Sequence, residues 1–182
     1  MKFTLSWLKE HLPGYEFARG DIRATPFLDA RFDAYLSWGV FEHFENGLGE
    51  CISEAHRILK PGGLLCVSVP YQNWRHILRD SRHLTKWDPE FDSKSGYTGS
   101  YRFYQWRLSR EELRRELELH GFQVLQLKSI HKEQGVQRWL QWDFPLFKEG
   151  SVMFKVLRRA FSWILPSWYV SHMIVGVARR RE

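Results

Sequence analysis

The chain has 182 residues, 43% of them hydrophobic and 26% charged, which is the size of one domain with enough apolar side chains to bury a core and excludes a mainly disordered chain. The 27 Lys and Arg outnumber the 21 Asp and Glu, and the excess is concentrated late, since residues 92–182 carry 16 basic and 9 acidic side chains. That half is the candidate surface for an anionic partner, a solvated basic face being the plainer reading.

Two cysteines, Cys51 and Cys66, sit among apolar neighbours and cannot build a disulfide framework, so a reducing compartment is expected. No run of roughly 18 uncharged residues offers a membrane helix, and the start has no apolar stretch with a cleavage site; a cytoplasmic protein is expected.

The first predicted element is a short alternating strand over 15–19, Tyr15 to Arg19. A continuously apolar strand follows over 32–38, Phe32 to Trp38, as in a buried parallel strand. Leu48, Ile52, Ala55 and Leu59 then fall at helical spacing, and Lys60-Pro61-Gly62-Gly63 reads as the stop of that helix before a strand over 64–69. Ser109-Arg110-Glu111-Glu112 is a capping box opening a helix that buries Leu113 and Leu117 and ends at Gly121. Strands over 122–127 and 173–178 complete the pattern.

Strands alternating with helices predict an α/β fold, a Rossmann-like and mostly parallel sheet with helices on both faces, in a single domain spanning 1–182. Two insertions interrupt the alternation, at about 73–107 and 131–170, where lids or binding loops are expected. Tyr97, Tyr101, Phe103, Tyr104 and Trp106 in the first read either as a pocket wall or as a packed loop. In the second, residues 151–165 place Val152, Val156, Ala160 and Phe161 near one face and Lys155, Arg158 and Arg159 on another. Peripheral membrane contact or ordinary core packing both suit such a helix.

In open parallel sheets ligands bind beyond the carboxyl ends of the strands. Asp21 beside Ile22 pairs a carboxylate able to accept from an amino group on a flat heterocycle with an apolar side chain able to pack on its face; Asp21 also suits a simple turn. Tyr71, Gln72 and Asn73 follow the third strand, at reach of a substrate or as a polar turn. His76 and His83 lie too far apart for a short ligand pair and Cys-x-x-Cys is lacking, so no metal site is expected.

Taken in order, Gly14 to Ile22, Phe32 to Ser37 leading to Val40-Phe41-Glu42-His43-Phe44, and Ala55 to Leu65 with its Leu59-Lys60-Pro61-Gly62-Gly63 resemble the class I S-adenosylmethionine-dependent methyltransferases, in the small-molecule branch typified by ubiquinone biosynthesis. The likeness covers about residues 14–70, 108–128 and 171–180 and includes an antiparallel last strand. It implies S-adenosyl-L-methionine as cofactor. Asp21 then matches the acid that binds the adenine amino group and Ile22 the residue flanking the ring. Ser37, Trp38 and Gly39 match the end of the strand facing the cofactor's methionine part, and Glu42 and His43 fall beneath the transferable methyl group.

One departure is large. The family's first two strands, their glycine-rich turn and the acid that holds the ribose have no counterpart before Gly14, and residues 2–12 read as the tail of the helix after the second strand. Gly47-Leu48-Gly49 opens a helix with no strand before it. The strand over 15–19 is therefore expected either to pair directly with that over 32–38 or to hang on an exposed edge, which invites a partner chain completing the sheet.

The function implied is methyl transfer to a small acceptor, a hydrophobic one included. His43 is the best-placed candidate base, with packing or capping as its other role. The alternative is a noncatalytic remnant or assembly module unable to bind the cofactor alone. Nucleic-acid binding ranks last, because the basic second half carries no recognition motif.

Overall fold

A computed structural model describes residues 2–79, 103–144 and 150–182. Helix α1 (Lys2–His11) is followed by an irregular stretch to β1 (Phe32–Trp38), a single 3-10 turn (Phe41–His43), α2 (Gly49–Ile58), β2 (Leu59–Pro70) and α3 (Trp74–Arg79). Then come α4 (Arg110–Leu119), β3 (Phe122–Ile130), α5 (Lys132–Asp143), α6 (Val152–Ile164), α7 (Ser167–Val170) and β4 (Met173–Arg180).

The α/β class holds. The four strands lie in the order β1-β2-β4-β3, with β1 parallel to β2 and β4 antiparallel to both neighbours. Three strands thus run one way and the last runs against them. Because β4 inserts between β2 and β3, one of the three hydrogen-bonded strand pairs among the described residues is parallel.

The predicted strand over 15–19 does not form: those residues are irregular, and β1 itself carries the sheet edge. Alternation over five residues is a weak signal without a neighbour to hydrogen-bond, and edge order in the ladder decides. The Lys60 to Gly63 segment is also not a helix terminus but the start of β2, where Gly62 takes a left-handed φ of 78° and the pairing with β1 slips between Phe32 and Ala34. A glycine in a slipped ladder marks such a bulge.

Alternation of β2 fixes the core. Leu65, Val67 and Val69 point to one face, where they meet Ile174 and Ala178 of β4, Leu48, Ile52 and Ala55 of α2, and Leu113 and Leu117 of α4. Burying each such side chain contributes roughly 1.5–3 kcal/mol. The capping box of α4 is formed in full: Glu112 N–H donates to Ser109 Oγ at 3.2 Å and Ser109 N–H to Glu112 Oε2 at 2.7 Å. Cys51 belongs to this core, its thiol pushed up to about 12 by burial, and both cysteines are free.

The opposite face of the sheet is open. The register sets Ala34 beside Leu64 and Leu36 beside Cys66 and Val177, and the side chains of Leu36 and Trp38 are 71% and 53% exposed. Helices α2 and α4 pack on the core face, and α7 contacts β3.

The insertion at about 131–170 is folded. Its described residues form α5, α6 and α7 around a satellite core of Val136, Leu140, Phe154 and Val170, with Trp139 edge-on to Phe161 at 5.0 Å. Arg75 of α3 donates to Asp143 of α5 at 3.0 Å. Of the first insertion, residues 80–102, which include His83, Tyr97 and Tyr101, lie outside the described residues. No helix among the described residues is long and apolar enough to cross a membrane.

Candidate functional site

The carboxyl end of β1 gathers several polar groups in a dry setting. Ser37, the last inward residue of β1, is 4% exposed and its Oγ has no hydrogen-bond partner. Gly39 turns the chain with a φ of 65°, and its N–H donates to the Ser68 carbonyl of β2 at 3.1 Å. A side chain at Gly39 would come within 3.3 Å of Glu42 Oε1, so the glycine leaves room for that carboxyl. Glu42 is only 2% exposed, Oε2 has no partner, and burial raises its pKa. Ser68 Oγ is likewise buried and unpartnered. Buried polar groups are normally satisfied, so the orphans of Ser37 and Glu42 at one strand end mark a place built for something else, while Ser68 stands on the other face of the sheet beside Trp38.

His43 follows at the surface. Its Nδ1 donates to the Tyr104 carbonyl at 3.0 Å, which fixes that nitrogen as the protonated one and leaves Nε2 with a free lone pair. Trp106 holds the same turn from the other side, donating from its backbone to the Glu42 carbonyl at 2.9 Å and from its indole to the Phe44 carbonyl at 2.8 Å. Of the aromatic set expected to form a wall, Phe103 and Trp106 pack into the core beside this turn, while Tyr104 is exposed.

Asp21 and Ile22 are placed differently. Ile22 packs on the main core. Both oxygens of Asp21 accept from the Arg23 guanidinium, the shortest contact being 2.7 Å, and this hydrogen bonding lowers its pKa to about 2. Arg23 stacks over Phe44 at 4.8 Å and reaches Glu50 at 3.6 Å. This group lines an open cleft of about 860 Å³ with Asn46, Gly49, Ser53, Glu54, Arg57 and His120, along the outer side of α2.

At the end of β2, Tyr71 is 5% exposed, and Asn73 is spent on structure: its Nδ2 donates to the Ser171 carbonyl at 2.9 Å and its Oδ1 accepts from His76 N–H at 3.0 Å, opening α3. Thus Ser37, Trp38, Gly39 and His43 come together with Glu42, Asp21 stands apart on its ion pair, and Asn73 is a cap. Ser68 was not singled out from the sequence; Glu42 was placed beneath the methyl group by the resemblance, without a role assigned to it. No group of three potential metal ligands exists among the described residues.

Residues 4–67 match the family described as "Methyltransferase domain". The phthiotriol/phenolphthiotriol dimycocerosates methyltransferase 1 of Mycobacterium ulcerans is 32% identical over 85 residues, 45% of this chain and 27% of that protein. The mitochondrial 2-methoxy-6-polyprenyl-1,4-benzoquinol methylase of Rattus norvegicus is 39% identical over 67 residues, 35% of this chain and 19% of that one. The chain therefore spans about a quarter of the length of these relatives or less.

Among solved structures, a methyltransferase from Bacillus halodurans aligns with a TM-score of 0.57 at 18% identity, over 100% of this chain and 80% of that one. The fold is that of a class I methyltransferase. Geranyl diphosphate C-methyltransferase from Streptomyces coelicolor, solved with S-adenosyl-L-homocysteine, aligns with a TM-score of 0.57 at 14% identity over 98% of this chain and 60% of that one. A (4+2)-cyclase aligns equally well, with a TM-score of 0.58, so this methyltransferase fold also carries other chemistry and the reaction must be argued from the site.

S-adenosylmethionine is the cofactor that the methyltransferase-domain match implies, and the described residues fit it at one end. The unpartnered Ser37 Oγ and the space at Gly39 suit the polar methionine part. The adenine end does not fit as it stands, because Arg23 occupies the carboxylate of Asp21.

Proposed function

We propose that this chain carries the methyl-transfer site of an S-adenosylmethionine-dependent enzyme acting on a small hydrophobic acceptor. The observation that carries the reading is the pair of buried, unpartnered side-chain oxygens of Ser37 and Glu42 beside Gly39, all three residues lying within the methyltransferase-domain match. The acceptor class rests on the relatives, one of which is named for a polyprenyl benzoquinol.

The cofactor supplies an already activated methyl group as a sulfonium, so the protein's part is positioning and water exclusion. Ser37 and the Gly39 turn hold the polar end. Trp106 and Phe44 close the turn against water. His43 Nε2 takes the proton where the acceptor must lose one, its tautomer set by the Tyr104 carbonyl.

The test is calorimetric titration of the folded 182-residue chain with S-adenosylhomocysteine. Binding at about micromolar, roughly −8 kcal/mol, that weakens in Ser37→Ala supports the reading. A folded chain that binds nothing contradicts it for the chain alone and favours a second reading, for which the uncovered sheet face with Leu36 and Trp38 speaks: a module whose open face and β1 edge receive a partner segment that completes the cofactor cradle.

A further inference from the structure

Helix α6 (Val152–Ile164) has two apolar faces, and only one of them is used by the fold. At 100° per residue, Phe154, Leu157, Phe161 and Leu165 fall on one side and pack on α5 and α7 in the satellite core. Val152, Met153, Val156, Ala160, Trp163 and Ile164 fall within an arc of about 120° on another side. These are exposed: Val152 by 78%, Met153 by 61%, Val156 by 60%, Trp163 by 88% and Ile164 by 66%.

Lys155 and Arg159 stand exposed along one border of that arc, with Arg158 beyond them turned to Gln137 at 3.5 Å. The helix contains no acidic residue. Ordinary surface helices turn a charged face to water; here the outward face is aliphatic and aromatic, and its flank is cationic.

We infer that α6 lies flat on an anionic membrane surface, its outward arc entering the boundary between head groups and acyl chains and Lys155 and Arg159 reaching lipid phosphates. The charge pattern selects this occupant. A second copy of the chain would bring Lys155 and Arg159 against the same cations, and a protein groove would leave them without a counter-charge that α6 itself supplies. A bilayer provides both an apolar layer for Trp163 and its neighbours and a negative plane at the depth of the cationic border. The inference does not depend on methyl transfer; it would bring the chain to a surface where hydrophobic acceptors dissolve.

The experiment is sedimentation of the whole chain with vesicles of phosphatidylglycerol and phosphatidylcholine, against vesicles of phosphatidylcholine alone. Each cation near an anionic surface strengthens partition by about fivefold, so the two at the border give about 25-fold preference for the anionic vesicles. Val156→Glu with Trp163→Glu is expected to cut partition at least tenfold with an unchanged circular dichroism spectrum, since neither side chain belongs to the satellite core. Lys155→Glu with Arg159→Glu removes the anionic preference through exposed residues outside the satellite core. Leu36→Ser, on the open sheet face, leaves partition unchanged. Equal binding to both vesicle types, retention of binding in both α6 variants, loss of binding in Leu36→Ser, or a dimer in sedimentation velocity that the α6 variants dissociate would each overturn the inference.

Discussion

Glu42 offers a perturbation whose sign separates a carboxyl held for function from one held for structure. It is 2% exposed, Oε2 has no partner, and burial is the largest influence on its proton, raising the pKa above 4.5. A buried group without its hydrogen bonds costs about 1–3 kcal/mol. Glu42→Gln keeps shape and removes the charge. Below pH 4.5 the carboxyl is protonated in both folded and unfolded chains, so there the two proteins should differ little. As pH rises, the unfolded chain releases this proton before the folded one does, and wild type loses stability that the variant keeps. At pH 8 the variant should therefore be more stable by about 1–3 kcal/mol, some 2–12 °C in melting temperature for a chain of this size. The assay is urea unfolding of both proteins at pH 4.5 and pH 8, with S-adenosylhomocysteine affinity measured alongside and expected to fall. A variant that is less stable than wild type at pH 8 refutes the reasoning, because Oε2 would then have a structural partner.

Three further outcomes are expected. Arg23→Ala frees the Asp21 carboxylate and should tighten adenosine-containing ligands by up to about fivefold, the value of one exposed ion pair; calorimetry with and without Asp21→Asn checks that the gain passes through that residue. Gly135→Ala should disrupt the packing of α5 on α7, because a Cβ there overlaps the Val170 carbonyl; loss of Trp139 fluorescence burial ahead of global unfolding would register it. Ser109→Ala removes one half of the α4 capping box and should cost about 1 kcal/mol in chemical unfolding, with Ser109→Asp retaining most of it.

How much of this was written in the sequence depends on whether local chemistry or a distant partner decides. The capping box at Ser109 and Glu112 satisfies its own end of the helix and was legible residue by residue. So were the spans of β1 and of the apolar run of β2, although β1, expected as a buried strand, lies at the edge of the described sheet with Ser37 its one buried residue. Residues 15–19 alternate as a strand does, but a strand exists only in its ladder, and no described strand pairs with them. In α5 to α7 the aromatic residues serve a separate small core; the helix over 151–165 was legible, but not that Phe161 turns into this core while Val152 and Val156 face outward.

The site was legible in part. Ser37, Gly39 and His43 were expected where they are found. The Asp21 to Arg23 pair could not be read, because a two-residue spacing permits the contact without requiring it. The position of Glu42 was read but its burial was not, since burial is a property of the folded chain.

The most direct test of the methyl-transfer site is amide chemical-shift mapping by nuclear magnetic resonance as S-adenosylhomocysteine is added to the folded chain. The account predicts perturbations centred on residues 37–43 and Ser68, with smaller ones at Asp21 and Ile22. Shifts confined to the cleft along α2, or none at all from a folded chain, would contradict it.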